Sequence, residues 1–220
     1  MNKSSKRIVR GVFFSIKAIL LFVAIGGGFA VGFAAVTLIN APDLNVVDVT
    51  PDGYRSVVLD DAGNEMVKLV GVESNRVYVT LDQIPEHLIN GVVAIEAERF
   101  WEHSGIDLRG IARALYINVT SGSVSQGAST ITQQLIKNNV FSVGIGEDTL
   151  VEKVQRKLQE QYLALKLEKQ VKKEWILENY LNTINLSGGC WGVSTAAQRY
   201  FGKEVGELTL SECAVLAGIT

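Results

Sequence analysis

Histidine, cysteine and proline are scarce in this chain. Two histidines and two cysteines among 220 residues are too few for a histidine-rich metal centre. Cys190 and Cys213 also stand too far apart for the paired spacing of a zinc site. Lying in different predicted elements, they read as buried thiols more readily than as a disulfide. The three prolines, Pro42, Pro51 and Pro85, all fall in the first 85 residues, so nothing beyond them imposes a proline break on a helix. Acidic residues are missing before Asp43, and charge of either sign is missing from 18–39. Five bases (Lys3, Lys6, Arg7, Arg10, Lys17) precede the first acid, which leaves 16 bases against 23 acids, about −7, for the rest. That balance is opposite to the basic surface of a nucleic-acid binder, and no nucleic-acid partner is expected.

What is present begins with that uncharged run. As a helix the 22 residues of 18–39 measure about 33 Å, enough for a hydrocarbon core of about 30 Å. The bases ahead of them, a tail over 1–17, place the N-terminus in the cytoplasm and the rest outside. A cleaved signal peptide is the competing reading, with Ala34-Ala35 as its peptidase site, but the run is long for one. Gly28 and Gly32 have the small-residue spacing of packed membrane helices.

A linker over 40–80 follows. Pro42 and Pro51-Asp52-Gly53 read as turns. Residues 55–59 and 65–70 flank Asp60-Asp61-Ala62-Gly63-Asn64 as a β-hairpin, with Gly63 or Asn64 at positive φ. Arg76–Thr80 alternates like a third strand.

From Leu81 the pattern turns helical. Asp82 is a candidate N-cap with Pro85 in the first turn, and Leu88, Ile89, Val92, Val93 and Ile95 are spaced for one buried face. Glu96 comes straight after them at the edge of the core, where it could accept a proton near neutral pH; a solvated surface Glu beside Glu98 and Glu102 is the plainer alternative. Phe100 and Trp101 read as core, and Asp107 as the cap of a helix over 108–119.

Next come Gly127-Ala128-Ser129-Thr130-Ile131-Thr132-Gln133-Gln134-Leu135, hydroxyls and amides where a core segment would use aliphatics. Ser129 or Thr130 can cap a helix running to about Asn138, and Gln133, Gln134 and Lys137 add donors suited to diphosphate or sugar. A capped helix with a polar surface fits equally well. Residues 142–146 read as a loop, and Glu147-Asp148 as the start of a long helix whose apolar stripe is Val151, Val154, Leu158, Tyr162 and Leu165. Arg156 and Glu160, four apart, taken alone read as a surface ion pair. Further helices are expected over 173–182, 194–201 and 210–219, with a tight turn at 188–192.

Taken together, Glu96-x-x-x-Phe100-x-x-His103-x-Gly105, Gly127-x-Ser129-Thr130-Ile131-Thr132-Gln133-Gln134, Arg156-Lys157-x-x-Glu160 and Lys173-x-x-Ile176-Leu177-x-x-Tyr180-Leu181-Asn182 resemble the peptidoglycan glycosyltransferase family. This is the glycosyltransferase 51 domain of class A penicillin-binding proteins, and the likeness runs from about Leu81 to Thr220. It implies a mainly α, lysozyme-like domain over 81–220, preceded by one transmembrane helix and a short hairpin, with the end of the domain and any transpeptidase beyond Thr220 not included. It implies polymerisation of lipid II, with inversion at the anomeric carbon and release of undecaprenyl diphosphate, at the outer face of the cell membrane. Glu96 and Glu160 would be the catalytic carboxylates, Glu96 as the general base, and Glu160, Arg156, Lys157 and Lys137 would surround the diphosphate. A divalent cation, magnesium or manganese, at Glu160 is one option. Ser129, Thr130, Gln133 and Gln134 would hold substrate and the cleft wall; Arg99, Phe100, His103 and Asn182, also in the motifs, join them as substrate-binding candidates. The growing glycan strand, the membrane and proteins of division or elongation are the implied partners. Two positions depart from the family pattern: Ala97 where an Asp usually follows the Glu, and Ser187 where Gly is usual. The first motivates a second reading, a catalytically impaired lipid II-binding scaffold. A third is a lysozyme-like hydrolase using Glu96 as acid, for which the cations at 137, 156 and 157 have no obvious use.

Overall fold

The structure, a computed structural model, describes residues 3–44, 49–51, 56–69, 75–123, 127–141 and 149–220. The expected loop at 142–146 and the acids Glu147 and Asp148 lie outside them, as do Asp52 and Gly53. The fold is helical, with one small hairpin.

The first helix, α1 (Lys3–Ile39), contains the uncharged run, and its segment Leu20–Ile39 is long and apolar enough to cross a membrane. Its C-terminal end does not stand free. The side-chain amide of Gln159 donates to the carbonyls of Thr37 at 3.1 Å and Asn40 at 3.4 Å. Strands β1 (Ser56–Leu59) and β2 (Glu65–Leu69) pair antiparallel around a turn with Gly63 at φ +84°. Among the described residues Arg76–Thr80 adds no third strand to this sheet. The N–H and C=O of Val79 bond instead to the side-chain amide of Asn182, at 2.9 and 2.8 Å. A side chain has taken the place of a neighbouring strand, so alternation alone misleads here.

Helix α2 (Glu86–Glu96) follows a single 3-10 turn over Leu81–Gln83, whose cap is Thr80 and not Asp82. Pro85 is the N-cap of α2, and its carbonyl accepts from the N–H groups of Leu88 and Ile89. Leu88, Val92 and Val93 are buried as expected, whereas Ile95 is exposed, because the buried stripe runs off the helix before its last turn. Phe100 is core; Trp101 is half exposed. Helix α3 (Leu108–Ser121) is capped by Asp107, which accepts from Gly110 N–H, and leaves Leu108, Leu115, Tyr116 and Val119 exposed.

The centre is α4 (Ile131–Ile136), capped by the Thr130 hydroxyl, in which Ile131, Leu135 and Ile136 have no exposed surface. The expected continuation to Asn138 is replaced by a π turn over Lys137–Phe141. Helix α5 (Leu150–Leu167) starts with a Thr149–Glu152 capping box. Its buried face is Glu160, Leu163, Ala164 and Leu167. The stripe expected to be core is not: Val151, Val154, Tyr162 and Leu165 are exposed. The error has a physical cause. One position of the true inward face is a carboxylate, which the hydrophobic pattern cannot count, so the best apolar match fell on a neighbouring face.

Helices α6 (Lys173–Leu181), α7 (Val193–Phe201) and α8 (Leu210–Ala217) complete the core. α4 packs on α5 and α6, and α2 packs on α8. The α2–α8 approach is close enough that a Cβ at Gly91 would lie 3.1 Å from that of Ala217. Cys190 and Cys213 are free, buried thiols.

Candidate active site

The packing of α2 on α8 delivers Glu96, the last residue of α2, to a polar cleft of about 140 Å³ lined by Glu96, Ala97, Arg99, His103, Arg113 and Ser129, among others. Glu96 is half-buried. Its Oε2 accepts from Gln134 Nε2 at 2.6 Å, and Gln134 Oε1 in turn accepts from the Tyr180 hydroxyl at 3.1 Å. Tyr180 is 1% exposed. Burial, and then the Glu96 charge, push its hydroxyl far above the usual range, so it remains a donor throughout.

The segment leading out of α2 is fastened at three points. Arg99 binds Asp107 through two nitrogens, Nη2 at 2.6 Å and Nε at 3.1 Å from Oδ2. That bond holds the Arg99 guanidinium above, and the Asp107 carboxyl below, their ordinary ranges. Because Asp107 also caps α3, the pair ties the cleft wall to a helix end. Phe100, with no exposed surface, lies under the Lys173 ammonium, 4.4 Å from its ring centroid. Lys173 is itself bonded to Glu168 at 2.8 Å, and burial pushes it below its ordinary range. Finally, the Gly105 carbonyl accepts from the Thr130 hydroxyl at 2.9 Å and from Gln133 Nε2 at 3.0 Å. Gly105 has φ +89°, and a Cβ there would come within 2.7 Å of the Ala164 backbone, so no other residue fits this crossing. His103 has both ring nitrogens buried without a hydrogen-bond partner; burial first, and Lys173 next, lower its pKa.

On α5, Glu160 has no exposed surface and carries two cations. Lys157 Nζ lies 2.7 Å from its Oε2, and Arg156 bonds its Oε1. The side chains of Arg156 and Lys157 are 19% and 43% exposed, so the cations and not the carboxylate meet the surroundings. Lys157 also donates to Ser129 Oγ at 3.1 Å. The stretch from Ser129 to Gln134 thereby touches the α5 cluster at one end and Glu96 at the other. Thr130 and Gln133 are almost wholly buried and their polar groups are bonded within the wall, as are those of Asn182. Lys137 is exposed at the start of the π turn. For a divalent cation the donor set is poor: Glu160 has both oxygens on cations, and no group of three or more His, Cys, Asp or Glu able to hold a metal occurs among the described residues.

Sequence reasoning missed Tyr180, Glu168 and Lys173 as parts of this site. Tyr180 sits at a core position of α6, and nothing in its spacing distinguishes a hydroxyl aimed at the Gln134 amide from one aimed elsewhere.

A family model described as Transglycosylase matches residues 62–220, which include all of these residues. The chain belongs to the transglycosylase family. Among its relatives, penicillin-binding protein 1A of Clostridium novyi (strain NT) is 45% identical over 194 residues, 86% of this chain and 22% of that protein. The penicillin-binding protein 1A of Clostridium botulinum (strain Langeland) is 39% identical over 224 residues, covering 100% of this chain and 26% of that protein. That of Escherichia coli (strain K12) is 48% identical over 158 residues, 72% and 18%. The chain thus spans between about a fifth and a quarter of the length of these relatives. The matched span is a transglycosylase domain, and its mainly helical fold with a two-stranded sheet agrees with the lysozyme-like class expected.

Proposed function

We propose that the chain polymerises lipid II, with α1 spanning the cell membrane, its N-terminus inside and the domain from about Leu81 outside. The observation that carries this reading is the Ser129–Lys157–Glu160 contact, which holds two cations beside the hydroxyl-and-amide stretch that also grips Glu96. A neutral glycan leaving group has no use for paired cations; a lipid diphosphate does.

In the proposed reaction Glu96 accepts the proton of an incoming sugar's C4 hydroxyl on its Oε1, since Oε2 is held by Gln134. The freed oxygen attacks the anomeric carbon of the growing strand from the face opposite the diphosphate. The bond from that carbon to the phosphate oxygen breaks with its electron pair on the leaving group, and the centre inverts. Arg156 and Lys157, with Lys137 from the π turn, stabilise the charge that develops there. Glu160 positions the first two. The exposed apolar faces of α3 and of the first turns of α5 suit a site at a bilayer surface.

Ala97 supports a second reading, binding of lipid II without turnover. It lines the cleft beside Glu96 with a methyl group where the family pattern carries a carboxylate. Incubation of the chain with labelled lipid II decides between them. Polymer from the native chain, reduced about 10²–10⁴-fold in Glu96→Gln, is the expected result. Polymer only after Ala97→Asp would favour the binding reading, and undiminished polymer from Glu96→Gln would refute the role given to the base.

A further inference from the structure

A glutamine side chain has a donor end and an acceptor end, and which way round it sits decides what it offers. Gln134 stands between two groups with opposite requirements. Toward Glu96 it presents its NH₂, at 2.6 Å. Toward Tyr180 it presents its oxygen, which accepts from the phenol at 3.1 Å. Turned over, the amide would aim its oxygen at a carboxylate oxygen and leave the buried phenol proton without this acceptor. Both ends penalise the flip.

We propose that Tyr180 is a positioning residue for Glu96, acting through Gln134 to lock its amide with the donor toward the carboxylate. The proposal rests on the reading of Glu96 as base. During turnover Glu96 alternates between carboxylate and acid. A carboxylate accepts hydrogen bonds only, whereas a carboxylic acid can also donate. Once protonated, Glu96 would gain from a flipped amide whose oxygen accepted its new proton, and that proton would be trapped on Oε2 against the wall. The Tyr180–Gln134 bond opposes this. It keeps the acquired proton on Oε1, on the cleft side, free to depart before the next cycle. With the amide held donor-first, a bare Oε2 keeps its hydrogen bond and a protonated Oε2 would lose it. The phenol can do this at any working pH because its own proton is held firmly by burial and by the adjacent negative charge. Other titratable groups share the cleft with Glu96: Glu98, Arg99, His103, Asp107 and Arg113. They are unaltered in the variants that follow.

Tyr180→Phe keeps the ring and removes only the hydroxyl. We expect kcat on lipid II to fall about tenfold, the worth of one buried hydrogen bond, with KM within about twofold. The acid limb of the kcat–pH profile should move to higher pH. Gln134→Met should give the same two changes, and adding Tyr180→Phe to it should give no further loss, since the hydroxyl acts only through the amide. A merely structural hydroxyl would lower the melting temperature without moving the pH limb, and its loss would add to that of Gln134. An unmoved limb, or additive losses, would overturn the proposal. Infrared titration separates it from the reading it rests on. The carboxyl band that disappears in Glu96→Gln should titrate at higher pH in Tyr180→Phe whether or not Glu96 is the base, and an unchanged titration would refute the lock.

Discussion

Replacing Glu160 by Gln tests the least sequence-evident feature of the site. The carboxylate has no exposed surface and is engaged by Lys157 at 2.7 Å and by Arg156. Charge-assisted hydrogen bonds contribute about 1.5–3 kcal/mol each, and breaking a wholly buried pair costs about 3–5 kcal/mol. Two effects reduce that figure here. The neutral amide no longer has to be desolvated as an ion, and both cations reach solvent, Lys157 with 43% of its side chain exposed. A net loss of about 2–3 kcal/mol is therefore expected, a fall of about 4–12 °C in melting temperature for a domain of this size. Lys157→Met removes one of the two bonds and leaves the Arg156 pair, so it should melt between Glu160→Gln and the native chain. Thermal unfolding in detergent followed by circular dichroism measures all three. Polymerisation of lipid II should fall about 10²–10³-fold in Glu160→Gln, because the cations lose their fixed position. A melting temperature within about 1 °C of native would show that Glu160 does not organise the cluster.

Three further outcomes are expected. His103 is held below its ordinary value of 6.5 by burial. As pH falls below that value the unfolded chain takes up the proton first, so stability is full above it and declines toward the lower folded-state pKa; denaturant titrations of His103→Phe should show a shallower loss as pH falls from about 6.5 to about 5.5, and an unchanged slope would count against this. Ser187 has φ +62°, the sole non-glycine with positive φ among the described residues. Ser187→Gly relieves about 1–2 kcal/mol of left-handed strain and gives back about 0.5–1 as extra unfolded-state freedom, so a gain of about 0.5–1 kcal/mol in chemical denaturation is expected, and a loss would refute the strain argument. Cys190 and Cys213 are each 1% exposed, and burial pushes both thiols up; a thiol-reactive chromophore should label neither in the native chain and both after denaturation, whereas rapid native labelling would contradict their burial.

The apolar run of α1, the hairpin turn at Gly63, the cap at Asp107 and the helical character of the chain beyond Pro85 were legible because each depends on local chemistry. Less legible was what depends on partners distant in sequence. Arg156 and Glu160 read alone as a surface ion pair; burial of the carboxylate comes from α5 turning that face toward the core, which the hydrophobic pattern scored against. Gln133 and Asn182 read as groups for substrate, and the structure engages their amides with Gly105 and Val79. Their donors are real, but backbone groups lacking a partner of their own had first claim. The departure at Ser187 was visible from the family pattern, while its cost, a side chain on a left-handed backbone, required coordinates.

The bond from Gln159 to the end of α1 acts as a depth gauge. Gln159 and Arg156 are three residues apart on one rigid helix, a separation of about 4.5 Å along its axis. With α1 spanning the bilayer as proposed, the paired cations are therefore set by the point where the anchor leaves the membrane, whatever the length or flexibility of the linker over 40–80. A lipid-borne diphosphate would meet them at its own resting depth, with its hydrocarbon tail still in the bilayer. Lengthening the linker would leave that depth unchanged, but shifting α1 by one helical turn would displace the cluster by about 5.4 Å, comparable to the thickness of one headgroup layer.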